Sequence, residues 1–335
     1  MNERIKFGII STGWIAGIFA EAINEVENAE KTAVASRTAA KAEKFAEKFG
    51  FKKSYGSYDD LFTDNEIDAV YIATPHSEHA SIAIAALNAG KHVLCEKAVT
   101  VNSLEAEKIV SLAAEKNLFF MEAMWIRFLP AIVELRKYLS DGIIGDVRFL
   151  NSHFSNPAIN KFDPEHRLFK KELAGGSLLD LGIYPISFAS MIFGKQPLKI
   201  SASAEFNSIG TDNSAAALFS YGDTATAAVS VSFLFDSFFS AEIFGSLGKI
   251  RIPSFWWKDI PLIISTNEGK EIVIENRGSS GAKGYSHQIK ETVDCIINGR
   301  TGSSIMSPGE SVEIMKTLDR IRKIIGLEYG ADKTC

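Results

Sequence analysis

The stretch Ile5-Lys6-Phe7-Gly8-Ile9-Ile10-Ser11-Thr12-Gly13-Trp14-Ile15-Ala16 decides the fold. Ile5–Ile10 is a short apolar run with β-branched residues, the composition of a buried strand. Ile15–Val26 then reads as a helix. Between the two, the fingerprint G-x-G-x-x-G/A falls on Ser11, Gly13 and Ala16. Gly13 and Ala16 match it and Ser11 departs. A small residue at Gly13 lets backbone N–H groups approach a pyrophosphate, and Ala16 lets the helix pack close to the strand. The first helical turn offers unpaired N–H groups and a partial positive charge to phosphates. Thr12, Trp14 and Ile15 complete the turn and are expected at the same ligand. Ser11 suits the turn provided its φ stays negative. A turn of small residues is weak as a signal by itself. A preceding strand, a following helix and a βαβ series behind them make it a dinucleotide site.

Outward from this turn, strands and helices alternate. Thr32–Ala35 is strand-like, and Ala39–Phe49 has helical spacing with Gly50 as its stop. Ala69–Ala73 is a buried-type strand, Ser77–Ala89 a helix stopped by Gly90, and Val93–Cys95 a strand. Asn102 can cap the next helix, with Glu105 as its capping-box partner, and Leu118–Glu122 follows as a strand. This alternation predicts a doubly wound α/β Rossmann domain with a parallel sheet over residues 1–122. Residues 123–335 differ in texture. Ile132–Leu139 and Leu178–Phe193 look helical, and the Lys199–Glu275 region consists of short apolar runs broken by Gly222-Asp223, Gly245, Gly248 and Gly269. Strands joined by Gly turns predict a large, mostly antiparallel sheet in an α+β domain. Helices at Ser286–Ile297 and Gly309–Ile325 close the chain.

Composition narrows the function classes. With 335 residues, 46% hydrophobic content and 23% charged content, the chain has material for two cores. A net charge of −5 and the lack of a basic run with interleaved aromatics argue against nucleic acid as a partner. No stretch approaches ~20 uninterrupted apolar residues, so no membrane span is expected. Cys95, Cys295 and Cys335 lie far apart with no CxxC pair, which suits a reducing compartment. The start Met1-Asn2-Glu3-Arg4 lacks the layout of a signal peptide. The expected location is the cytoplasm.

The strand ends supply the candidate site. NAD-binding chains usually carry an acidic residue after the second strand. Here the sequence is Ala35-Ser36-Arg37-Thr38. Ser36 can hydrogen-bond a 2′-phosphate and Arg37 can pair with it bidentately, which favours NADP over NAD. Thr74, Pro75 and His79 follow the next strand and are expected to flank the cofactor. His76 and His79 bracket Glu78 without a third ligand at a convincing spacing, so a polar cap is expected in place of a metal. Glu96 and Lys97 follow Val93–Cys95 at the carboxyl edge of the sheet, where ligands bind. Asp180 and Tyr184 are four apart in a segment read as helix, hence on one face. Gly175-Gly176 before them would let backbone approach a ligand closely. Trp125 and Arg127 fall at the expected domain junction, where a pocket would lie. His153 and His166 could line a substrate pocket. Phe233, Phe235, Phe238 and Phe239 read as packing residues.

Four segments together resemble one family: Gly8–Ala16, Ala73-Thr74-Pro75-His76-Ser77-Glu78-His79, Cys95-Glu96-Lys97-Ala98, and Gly175–Tyr184. They look like the Gfo/Idh/MocA oxidoreductases. The stretch Met121-Glu122-Ala123-Met124-Trp125-Ile126-Arg127 is similar to the branch holding dimeric dihydrodiol dehydrogenases and glucose-fructose oxidoreductase. The resemblance implies a Rossmann domain followed by an α+β domain whose open sheet mediates formation of a homodimer or higher homo-oligomer. It implies that Lys97, in the position of the lysine of an E-K-P motif, is catalytic, with Ala98 replacing the usual proline. Tyr184 stands where many relatives carry histidine, and this branch carries tyrosine. The chemistry implied is hydride transfer between a nicotinamide and a hydroxyl or carbonyl carbon of a sugar, polyol or cyclic diol. Tyr184 is the candidate acid in the reducing direction, with Asp180 orienting it, Lys97 or a substrate hydroxyl. Whether Lys97 or Tyr184 makes the final proton transfer stays open. The alternative is a regulatory protein that senses NADP without turnover.

Overall fold

The computed structural model describes residues 4–237, 239–255, 258–278 and 280–333. Met1 to Glu3, Phe238 and Cys335, named above, lie outside them. The chain divides into two compact units. The first holds residues 1–100, 104–128 and 280–311, and the second holds 101–103, 129–279 and 312–335. Residues 280–311 thus return to the first unit, and the division is not one cut after residue 122.

The first unit is built on a parallel sheet of β1 (Ile5–Ile10), β2 (Ala29–Ala35), β3 (Lys53–Tyr55), β4 (Ala69–Ile72), β5 (His92–Glu96) and β6 (Phe120–Ala123). Their order is β3-β2-β1-β4-β5-β6. Phe7, Ile9 and Ile10 of β1 and Val70, Tyr71 and Ile72 of β4 are wholly buried, as expected of strands covered on both faces. The helices are α1 (Trp14–Ala22), α2 (Ala39–Phe49), α3 (Tyr58–Phe62), α4 (His76–Asn88) and α5 (Ser103–Glu115). The short β3 and α3 escaped the reading by periodicity. Three and five residues are too few to show a period. Strand order reverses between β1 and β4, which places the crevice at their carboxyl ends.

In the second unit, α6 (Pro130–Ser140) leads to β7 (Val147–Ser155), and α7 (Ile183–Phe193) leads to β8 (Lys199–Phe206), β9 (Asp212–Ser220), β10 (Thr226–Ser232), β11 (Ser240–Gly245), β12 (Gly248–Ile252), β13 (Leu262–Thr266) and β14 (Glu271–Ile274). The eight strands β7 to β14 form a sheet of order β14-β13-β12-β11-β7-β10-β9-β8. All neighbours pair antiparallel except β7 and β10. β12 alternates buried Gly248, Ile250 and Ile252 with exposed Lys249 and Arg251, so one face is covered and the other is open. The stretch Lys171–Phe193 is long and apolar enough to span a membrane, but 78% of its most apolar window is buried inside the protein, the mark of a core helix. Two more helices follow, α8 (Ala282–Ile297) in the first unit and α9 (Pro308–Ile325). α8 packs on α1.

Candidate active site

The turn after β1 is made by backbone. The Ser11 N–H donates to Ala35 O at 2.9 Å, tying β1 to β2. The Gly13 N–H donates to Ser11 Oγ at 3.3 Å. Ser11 adopts φ +99°, so the expectation of a negative φ is overturned. The turn imposes the conformation of the fingerprint's first glycine on a residue with a Cβ. Gly13 stands at the N-cap of α1 with no side-chain cap and no acidic residue in the first turn. The amide groups there are available to an anion, and a dinucleotide pyrophosphate fits them. Ser11, Thr12 and Ile15 are half-buried around this opening, and Trp14 is 76% exposed.

At the end of β2, Ser36 is buried and its N–H donates to Tyr55 O at 3.1 Å. The Arg37 side chain is 76% exposed and lies 3.7 Å from Glu78. A groove of about 690 Å³ runs from Thr12 and Gly13 along α1 and α2, lined on α2 by Lys41, Lys44 and Lys48. These lysines were missed in the sequence because cations at helical spacing also describe any solvated helix face.

The turn after β5 carries Lys97, which is half-buried. The Glu96 carboxylate accepts from the Tyr71 hydroxyl at 2.5 Å and from the Lys97 N–H at 3.3 Å. Burial and the Glu96 charge push the Tyr71 phenol well above its usual range. The Lys97–Ala98 peptide is cis. Both ring nitrogens of buried His79 sit 2.9 Å from carbonyl oxygens, those of Ala98 and Thr74. The ring therefore joins the turns after β4 and β5, and its nitrogens face the chain itself. The Val99 N–H donates to Glu122 Oε1 at 3.0 Å. Glu122 is wholly buried, and burial pushes its carboxyl up to about 7.

Thr74 and Pro75 are half-buried just beyond the carboxyl end of β4. Other residues expected at the cofactor are also engaged by the chain itself. Arg127 is 1% exposed, pairs with Glu310 at 2.8 Å and donates to Ile305 O at 3.4 Å. The guanidinium is enclosed and engaged by the chain itself. Glu96 and His79 act on loops in the same sense. Trp125 is buried and stacks on Tyr285 of α8, ring centroids 4.5 Å apart.

In the second unit, Leu178–Gly182 forms a π turn ahead of α7. Asp180 belongs to that turn and Tyr184 to the α-helix, so the expected regular i, i+4 spacing within one helix does not hold. The Asp180 carboxylate is 3.7 Å from the Arg167 guanidinium. Tyr184 is buried, with the Phe154 ring edge-on at 5.2 Å. A Cβ on Gly175 would fall 2.5 Å from Leu168 O, and one on Gly176 would strike Asp212 Oδ1. The two glycines admit the chain's own backbone and the Asp212 carboxyl, a correction to the expected approach of a ligand. Asp212 Oδ2 accepts from Ser177 Oγ and from the Leu178 N–H, both at 2.7 Å, and the Tyr329 hydroxyl donates to Gly175 O at 2.6 Å. Burial raises the Asp212 carboxyl. His166 stacks on Phe162 at 4.2 Å, and His153 Nε2 lies 3.2 Å from Ser240 Oγ. Phe233 and Phe239 are buried, whereas Phe235 is exposed.

Residues 5–124 match the family described as "Oxidoreductase family, NAD-binding Rossmann fold", and residues 132–251 match the "GFO/IDH/MocA C-terminal domain". The trans-1,2-dihydrobenzene-1,2-diol dehydrogenase of Xenopus laevis is 33% identical over 330 residues, covering 97% of this chain and 99% of that protein. The chain belongs to the Gfo/Idh/MocA oxidoreductase family. Its human relative of the same name is 32% identical over 336 residues, 98% of this chain and 99% of the other. A member of this family with such relatives is an NAD(P)-dependent oxidoreductase. Among solved structures, levoglucosan dehydrogenase in complex with NADH and L-sorbose superposes with a TM-score of 0.89 at 20% identity, covering 97% of each chain. KijD10, a 3-ketoreductase from Actinomadura kijaniata in complex with NADP and TDP-benzene, gives 0.84 at 24% identity, covering 96% of this chain and 98% of the other. At these identities the likeness is one of fold. One of these Gfo/Idh/MocA folds holds NADH and the other NADP.

Proposed function

We propose that this oxidoreductase uses NADP to move a hydride between the nicotinamide and a hydroxyl or carbonyl carbon of a sugar, polyol or cyclic diol. The observation that carries the cofactor choice is Arg37, exposed at the end of β2 where NAD-binding chains place a carboxylate. Lys41 in the first turn of α2 adds a second cation beside the nucleotide turn. The substrate class draws on relatives named for a dihydrodiol and on a neighbour solved with L-sorbose.

The nicotinamide supplies the hydride acceptor or donor when bound. The chain's own groups bind phosphates and manage one proton. The α1 N-terminus takes the pyrophosphate, with Ser11, Thr12, Gly13, Trp14 and Ile15 around it. Lys97 and Tyr184 are the catalytic groups that exchange the proton of the substrate oxygen, and Asp180 orients them or the substrate. Oxidation of the alcohol releases that proton to one of the two, and reduction of the carbonyl takes it back. We also assign homodimerisation to the open face of the eight-stranded sheet, where Phe206 and Leu218 are exposed on β8 and β9.

The test is a panel of sugars, dicarbonyls and trans-diols with NADP(H), followed at the nicotinamide absorbance. Lys97→Met and Tyr184→Phe should each lower kcat by about 100-fold or more and leave the NADPH dissociation constant within about threefold. Arg37→Glu should weaken NADPH by about 10- to 100-fold and leave NADH nearly unchanged. Full turnover in both active-site variants would refute the catalytic assignment. Equal loss of both cofactors in Arg37→Glu would refute the NADP preference.

A further inference from the structure

We propose that Glu122 is a positioning residue for Lys97, holding the chain just beyond it through a hydrogen bond whose strength follows the charge on the carboxyl. Glu122 lies on β6 and pairs in register with Cys95 on β5, two residues before Lys97. Its Oε1 accepts the Val99 N–H at 3.0 Å, two residues after Lys97. Lys97 is thus flanked by two anchors on adjacent strands, Glu96 holding its own N–H and Glu122 holding that of Val99. Glu122 Oε2 is buried without a hydrogen bond of full geometry, as is the Ser311 hydroxyl, which is near enough to lower the proton affinity of the acid.

A buried carboxyl with one full hydrogen bond is costly to keep for packing alone, since an apolar side chain would avoid the desolvation. Its surroundings set its charge. Cys95 is its register partner on β5, and the charges of Glu96 at the end of β5 and of Arg127 in the 3-10 turn Trp125–Phe128, itself paired with Glu310 of α9, act on it. Burial, and to a lesser degree the Glu96 charge, favours the protonated acid, while the Ser311 hydroxyl, the Val99 N–H and Arg127 favour the anion. These influences leave the carboxyl at about 7, so the group changes charge around neutrality. A hydrogen bond to a carboxylate is roughly twice as strong as one to a neutral acceptor. Ionisation therefore tightens the grip on Val99, and protonation slackens it. The kinetic consequence rests on Lys97 being catalytic as proposed above, but the hold on Val99 does not.

The experiment takes the full chain with 15N-valine and follows the Val99 amide from about pH 5.5 to about pH 8.5. The resonance should move with a midpoint near about 7 in the wild type and stay still in Glu122→Gln, which keeps the size and one acceptor oxygen. In parallel, wild-type kcat with an accepted substrate of the panel should show a limb of the same midpoint. Glu122→Gln should flatten that limb and lower kcat about fivefold above about pH 8, with the NADPH dissociation constant within about twofold. A Val99 amide that does not titrate, or that titrates unchanged in Glu122→Gln, overturns the proposal. A Val99 titration without the kinetic limb overturns the positioning role. Titration in a protein that turns over no carbonyl or hydroxyl substrate supports the grip of Glu122 and refutes the proposed function instead.

Discussion

The turns after β1 and β5 end strands of the same parallel sheet and are held by opposite means. At Ser11–Gly13 the path is set by main-chain groups and a helix start, with an exposed Trp14 at its rim. At Lys97–Val99 the main chain is gripped by side chains: the adjacent Glu96 at the end of β5, and from other elements His79 on α4 and Glu122 on β6. The first arrangement suits a site that binds phosphates through backbone N–H groups. Bulky side chains inside such a turn would stand in the ligand's way. The second suits a site that presents one reactive side chain. A lysine on a four-carbon stem is placed only as well as the backbone beneath it.

Three experiments press on this contrast. The largest effect is expected at His79. His79→Leu leaves the Thr74 and Ala98 carbonyls without the ring, and should cost about 2–3 kcal/mol in urea unfolding followed by tryptophan fluorescence. A loss below about 0.5 kcal/mol would mean that the turn after β5 does not depend on the His79 ring.

Next is the pH dependence set by Glu122. Its folded-state carboxyl stands at about 7, above the usual 4.5, so the folded chain binds the proton more tightly than the unfolded chain. The stabilisation is full below about 4.5 and is lost as pH rises through about 7. Relative to Glu122→Gln, the wild type should lose about 2 kcal/mol of stability between about pH 5.5 and about pH 8.5. A constant difference across that range would place the carboxyl outside it.

The smallest effect belongs to the backbone-built turn. Ser11→Gly relieves a positive φ and gives up the long bond from the Gly13 N–H. It should raise stability by up to about 1 kcal/mol, with NADPH affinity within about twofold. A stability loss would show that the serine hydroxyl matters more than the strain.

Much of this was legible along the chain. The β1 turn, the alternation behind it and the positions of Arg37 and Lys97 depend on near neighbours, and near neighbours leave periodicities and short motifs. The second unit was readable as strands, but β7 was not identified. Its burial alternates only loosely, and it pairs with both the distant β10 and the more distant β11. The role of Gly175-Gly176 was misjudged for a related reason. Nothing near them in sequence announces that Asp212 and Leu168 O press against them.

The Rossmann unit, its phosphate-binding turn and the strand ends that carry Arg37 and Lys97 follow from the amino-acid sequence alone. The tertiary arrangement was needed to see which of those side chains are buried and engaged by neighbouring segments. Arg127 was expected at a cofactor from its place at the domain junction, and His79 and Glu96 from their places after strands; all three are buried and engaged by the protein. Ser11 looked like a tolerated variant of the fingerprint and proved to carry a glycine's φ. For the three buried side chains the physical reason is common. A residue type fixes what a side chain can donate or accept. Whether it is spent on solvent, ligand or a neighbouring strand depends on burial and on partners that lie beyond the local sequence.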